Sequence, residues 1–255
     1  MFDLATFLGL LIGVGAILVG NLIEGGTTGH LIQFAAAIIV FGGTFGATLL
    51  GSSIQDMKNA LRVFFMIFRS RPDAAPEVIN EVLKILAMAR KIGLVALEPE
   101  VKKINHPFLR KGLYLVIDGM APAMIKDVLS QEIITYEETY KKAAKIFESA
   151  GGYAPTIGIL GAVLGLIQVM RDVTDPSKIG GGIAVAFVAT IYGVGSSNLF
   201  FIPTAKKIMS RVREEVFIME LILEGIMGIE SGINPYFMRA RLNAFLSEHQ
   251  KRGNN

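Results

Sequence analysis

Four stretches of this chain, Leu4–Ile23, Leu31–Gln55, Ser149–Met170 and Ile179–Ala205, contain no aspartate, glutamate, lysine or arginine. A helix rises about 1.5 Å per residue, so about twenty residues cross the roughly 30 Å hydrocarbon core of a bilayer, and each stretch is long enough to span it. Composition agrees: 52% of the 255 residues are hydrophobic and 18% charged, with a mean hydropathy of +0.51, too little polar surface for a soluble globule of this length. No stretch reads as a strand. The expected fold is all-α, a polytopic membrane protein with four transmembrane helices and a helical cytoplasmic domain. The first span is expected to stay in the mature chain, because MFDLATFLGLLIG lacks the basic leader of a signal peptide.

The connections set the orientation. NLIEGGTTGH carries no lysine or arginine and RDVTDPSKIGG a balanced handful, whereas residues 56–148 and the tail 206–255 hold nearly all the basic residues. The positive-inside rule puts both segments in the cytoplasm, and an even number of spans puts both termini there. The chain then divides into residues 1–55, two spans with a short periplasmic loop; 56–148, a cytoplasmic helical domain; 149–205, two further spans; and 206–255, a helical tail. In PEVINEVLKILAMARKIG, Ile79, Val82, Leu83, Leu86 and Met88 form a helical stripe, with Pro76 suited to a first turn. A charged helix is predicted to run into the third span and another out of the fourth, and Asn234 and Pro235 to cap and open a shorter one. Cytoplasmic lysines and arginines account for the net charge of +3, and no nucleic-acid partner is expected.

Within the spans, Gly9 and Gly13, Gly42 and Gly46, and Gly158, Ala162 and Gly165 have the spacing that lets helix backbones approach; packing within the chain and contact between subunits both fit. Pro155 and Pro203 each stand at the cytoplasmic end of a span, which predicts a break or kink in each and a paired hinge. The chain has no cysteine, and His30, His106 and His249 lie far apart, so thiolate chemistry is excluded and neither a metal site nor a cofactor is expected.

The spans also lack an acid. Proton and cation carriers usually hold a carboxylate within the membrane, because its titration or coordination couples ion binding to conformational change. Either this chain moves no ion, or a partner helix brings the carboxylate and this chain supplies the polar wall. Thr156 and Thr190 fit the second case, since a hydroxyl oxygen can coordinate a partly dehydrated cation or hold a water. The competing reading is that each only bonds its own i−4 carbonyl. Ser196, Ser197 and Asn198 read as helix-packing groups.

YAPTIGILGAVLGLIQVM, IAVAFVATIYGVGSSNLFFIPTAKK and MARKIGLVALE together resemble the MotA/PomA family of flagellar stator subunits, within the wider group of TolQ and ExbB. The resemblance covers essentially the whole chain. It implies a homopentamer around a dimer of a single-span MotB/PomB-type partner that carries the essential aspartate. Protons or sodium ions would flow inward past that aspartate through the bacterial inner membrane, turning the pentamer against the rotor. Carried over by motif, Pro155 and Pro203 transmit the state of the carboxylate, Thr156 and Thr190 are the hydroxyl positions of the ion path, and Arg90 and Glu98 engage the rotor protein FliG. Lys91 and Glu100 are their sequence neighbours and, on that ground alone, are expected to share the contact.

Gly93 follows a strongly helical stretch and Pro99 follows Glu98, so Arg90 and Glu98 are expected near helix boundaries, where exposed charges can grip and release a moving surface. No enzymatic reaction is expected. A TolQ/ExbB-like energiser of outer-membrane processes is the nearer alternative, although those relatives generally have three spans. A stand-alone channel or transporter would require substrate-facing charged or discontinuous segments in the chain itself, and the spans offer neither a charge nor an inverted repeat.

Overall fold

The computed structural model describes residues 3–66, 75–171, 173–174 and 176–253; among these every regular element is helical. Span one is α1 (Leu4–Ile23), opened by Asp3, whose carboxylate accepts from the Thr6 amide at 3.2 Å. None of its residues is buried within the chain, as suits a helix whose solvent is lipid.

Span two is less regular than its hydropathy predicts. After a 3₁₀ turn (Thr28–Leu31) the backbone is extended at Ile32 and Gln33, then continues as α2 (Phe34–Ala37), a π turn (Ile38–Gly42) and α3 (Gly43–Leu50). It stops at Leu50 instead of reaching Gln55, because a new helix, α4 (Ile54–Met66), starts there on its own cap. Ser53 Oγ accepts from the Asp56 amide at 3.0 Å and donates to the Asp56 carboxylate at 2.6 Å.

The polar helices follow: α5 (Ala75–Ile92), a 3₁₀ turn (Val95–Leu97), α6 (Glu98–Val101) and α7 (Pro107–Ile117). Span three belongs to α8 (Pro122–Arg171), a single helix of 50 residues. Span four is α9 (Pro176–Ser196) and a π turn (Ser197–Phe201), and α10 (Ile202–Glu230) continues from it. The last helix is α11 (Pro235–Gly253), where Asn234 Oδ1 accepts from the Tyr236 amide at 2.9 Å and Pro235 holds the first position.

Two compact units result, one of α1–α4 with residues 140–210, the other of α5–α7, the start of α8 and the chain from Arg211. The second has its own core. Ile79, Val82, Leu83 and Leu86 of the α5 stripe are buried against Leu109 and Leu113 of α7, Leu129 of α8 and Ile222 and Ile226 of α10. At about 1.5–3 kcal/mol for each large side chain buried, these contacts, rather than its abundant surface charge, hold the unit together. Gly112 permits the tightest approach, since a β-carbon there would lie 2.1 Å from Ile226 Cδ1.

Candidate ion path

The third and fourth spans meet almost backbone to backbone. A β-carbon on Gly158 would stand 2.9 Å from the Ala189 carbonyl, and one on Gly193 would stand 2.5 Å from the Ala154 carbonyl. Further along, Gly165 faces the Gly182 carbonyl at 2.8 Å on the same measure. Gly161, rather than Ala162, completes the row against Ala189. Contact within the chain thus explains Gly158 and Gly165, as well as Gly13, which meets Leu199. It does not explain Gly9, Gly42 or Gly46, which face open space.

The two prolines behave differently. Of the break or kink that the sequence predicts at Pro155, the break does not occur: α8 runs through the residue as one helix. The carbonyl that its missing N–H leaves without a helical donor is that of Gly151, and the hydroxyl of Ser197 donates to it at 2.6 Å from the neighbouring span. Pro203 does accompany a change of helix type: the Ile202 amide donates back to the Ser197 carbonyl in a π turn just before the ring that would crowd the Leu199 carbonyl. Of the three polar residues in this stretch only Ser197 reaches across; Ser196 and Asn198 donate to the Gly193 and Val194 carbonyls of their own span.

Both threonines make local back-bonds. The Thr156 hydroxyl donates to the Tyr153 carbonyl at 2.8 Å and that of Thr190 to the Ala186 carbonyl at 3.2 Å. A hydroxyl whose hydrogen is spent in this way still presents oxygen lone pairs to a cation or a water. Thr156 is two residues from both Ala154 and Gly158, about 160° around α8 from the glycine seam, and it is exposed. Thr190 is half-buried beside Ala189 at the edge of that seam.

One functional group escapes sequence reasoning. Tyr192 donates its hydroxyl to the Leu31 carbonyl at 2.6 Å, accepts from the Gln33 amide at 3.3 Å, and stacks on Phe41 with ring centroids 5.6 Å apart. It satisfies the backbone groups that the extended corner of span two exposes. A lone tyrosine hydroxyl in an apolar span is the only signal the sequence carries for it.

In the helical unit, α5 ends on Gly93, whose φ of +86° is the left-handed conformation that closes a helix. Arg90 and Lys91 stand exposed in its last turn, and Arg90 Nη1 donates to the Ile233 carbonyl at 3.4 Å. Glu98 opens α6 and pairs with Lys102 at 2.9 Å, while Glu100 pairs with Lys103 at 2.6 Å. The hydrogen bond and charge of Glu98 raise the Lys102 ammonium above its ordinary pKa, and those of Lys103 hold the Glu100 carboxyl below its own.

Together these features define a multi-pass helical membrane protein with polar but uncharged spans and a separate unit of charged helices. Residues 7–93 match the family described as motility protein A N-terminal, and residues 100–221 the MotA/TolQ/ExbB proton channel family. Motility protein A of Helicobacter pylori is 33% identical over 245 residues, 96% of this chain and 95% of that protein. Among solved structures, MotAB of C. jejuni has a TM-score of 0.90 at 30% identity, covering 95% of each chain. The flagellar MotAB stator complex of Bacillus subtilis has a TM-score of 0.89 at 28% identity, covering 99% of this chain and 100% of that one. The chain belongs to the motility protein A family, the ion-conducting stator subunits of the flagellar motor, and is a multi-pass protein of the inner membrane.

Proposed function

We propose that five copies of this chain surround a dimer of a MotB/PomB-type single-span subunit, whose aspartate supplies the acid absent here. Protons or sodium ions pass that aspartate into the cytoplasm and turn the pentamer against the rotor. The observation that carries the reading is the pairing of four charge-free spans with two threonine oxygens, Thr156 exposed and Thr190 half-buried, to which another helix can bring the missing acid. Thr156 and Thr190 line the ion path. Gly42 and Gly46, unoccupied within the chain, suit close approach by a neighbouring helix. Pro155 and Pro203 pass the state of the partner's carboxylate into α10. Arg90, Lys91 and Glu98 meet charged groups on FliG. Both termini lie in the cytoplasm, the side to which the basic segments belong.

Deleting the gene in a strain with no second stator set, and tracking rotation of tethered cells, tests the reading. Rotation should stop and return on re-expression; continued rotation without the chain overturns it. Speed measured against sodium at fixed pH, with a protonophore control, identifies the ion.

A further inference from the structure

We propose that Ser197 is a positioning residue for the stator stroke, a single side chain that ties the proline site of the third span to that of the fourth. The proposal deepens the stator reading and rests on it for its functional part.

Two irregular sites, the orphaned carbonyl at Pro155 and the π turn ahead of Pro203, both involve Ser197. Pro155 has no N–H, so the Gly151 carbonyl one turn earlier loses its helical partner at a residue buried within the chain. Ser197 supplies the replacement, with its hydroxyl 2.6 Å from that oxygen and the residue only 1% exposed. The same residue opens the π turn ahead of Pro203, and its own carbonyl accepts from the Ile202 amide, the last N–H before the second proline.

Side chain and backbone of one residue therefore hold both irregular sites. Packing reinforces the link. A β-carbon on Gly151 would meet Ile202 Cγ1 at 2.7 Å and Phe201 Cβ at 3.4 Å, and one on Gly193 would meet Pro155 Cα at 3.2 Å. The third span cannot bend at Pro155 without either orphaning a buried carbonyl or carrying the fourth span with it. Ser196 and Asn198, bonded within their own span, form no such tie.

The test is a thermal double-mutant cycle on the stator complex purified in detergent, together with motor speed. Ser197→Ala should lower the melting temperature by ~2–4 °C, the shift of one lost buried hydrogen bond. Pro155→Ala restores a backbone N–H that the Gly151 carbonyl can accept, so in that background the same serine change should shift melting by a small fraction of that. Equal shifts in both backgrounds would overturn the bridge. In cells, Ser197→Ala should reduce the maximal low-load speed per assembled stator severalfold and leave the half-saturating ion concentration unchanged. Normal speed per unit, or a loss wholly explained by fewer assembled units, would overturn the positioning role. The melting cycle reads the bridge whether or not the chain drives rotation, so failure of the stator reading is separable through the deletion strain.

Discussion

Lys207 Nζ lies 2.8 Å from Asp3 Oδ2, joining the start of the first span to α10 one turn beyond Pro203. Asp3 is 8% exposed and Lys207 32%, so the pair is sheltered on the carboxylate side and wet on the other. Asp3 also caps α1 through the Thr6 amide, and the two roles separate by substitution. Asp3→Asn keeps a good cap and removes the charge; Asp3→Ala removes both. Breaking a buried pair costs about 3–5 kcal/mol, and partial exposure of Lys207 brings the expectation for Asp3→Asn to about 1–2 kcal/mol. Asp3→Ala should cost about 1 kcal/mol more. Thermal unfolding of the purified complex measures both; identical losses would assign the whole effect to the lost charge and leave the cap with none.

Hydropathy and periodicity carry the fold a long way. The charge-free stretches give all four spans, and the Ile79–Leu86 stripe with Gly93 gives α5 and its end. What escapes them depends on contacts between segments distant in sequence. Proline chemistry foresees the orphaned Gly151 carbonyl, but no local rule says that a serine from another span will hold it and keep α8 continuous. Span two breaks at Ile32 and Gln33, where Tyr192 of the fourth span bonds the Leu31 carbonyl and the Gln33 amide. By contrast the start of α4 is legible: Ser53 and Asp56 have capping-box spacing across the end of the charge-free stretch. For the threonines, spacing indicates oxygen in the membrane and leaves the face it occupies to the packing.

The glycine seam gives a sharp contrast between neighbours on one helix. A β-carbon at Gly193 would press to 2.5 Å of the Ala154 carbonyl, a backbone atom that yields only if the helices part. One at Gly195 meets nothing within 4 Å. Gly193→Ala should destabilise the complex by about 1–3 kcal/mol, as overpacking does. Gly195→Ala should be neutral or stabilising by up to about 1 kcal/mol through helix propensity. Melting temperatures of the two variants, measured side by side, check this; similar values would mean the seam is looser than the backbone distances require.

Glu98 shares its carboxylate with Lys102, which complicates any charge reversal at this position. Glu98→Lys places like charges at i and i+4, so Glu98→Gln is the cleaner probe. It should reduce torque at high load, and Lys102→Ala, which frees the carboxylate, should strengthen dependence on complementary rotor charges. The pH window follows from the neighbouring shifts. Glu100, held below 4.5, contributes fully above that value and loses its contribution as pH falls through the lowered pKa. Lys102, raised above 10.5, contributes below 10.5 and loses its contribution as pH rises through the raised pKa. Between roughly pH 6 and 9 neither group titrates, so stall torque at constant ion-motive force should be flat there and fall with added salt. A strong pH dependence retained at constant ion-motive force would place a titrating group in the contact.

Thr190 separates ion contact from packing because its hydroxyl contributes little to the fold. The back-bond to Ala186 is long, at 3.2 Å, and the helix closes without it. Thr190→Val preserves shape and should change stability by less than about 1 kcal/mol, the scale of a polar contact between membrane helices. Assembly should therefore survive. Swimming speed should fall most at a low ion gradient, where weaker coordination cannot be offset by driving force, and Thr156→Val should act in the same direction. Speed per assembled stator, counted by fluorescence and plotted against the ion gradient, is the measurement. Curves that superimpose on wild type at low gradient would leave Thr190 with its back-bond alone, and the path would have to run along another face of the subunit.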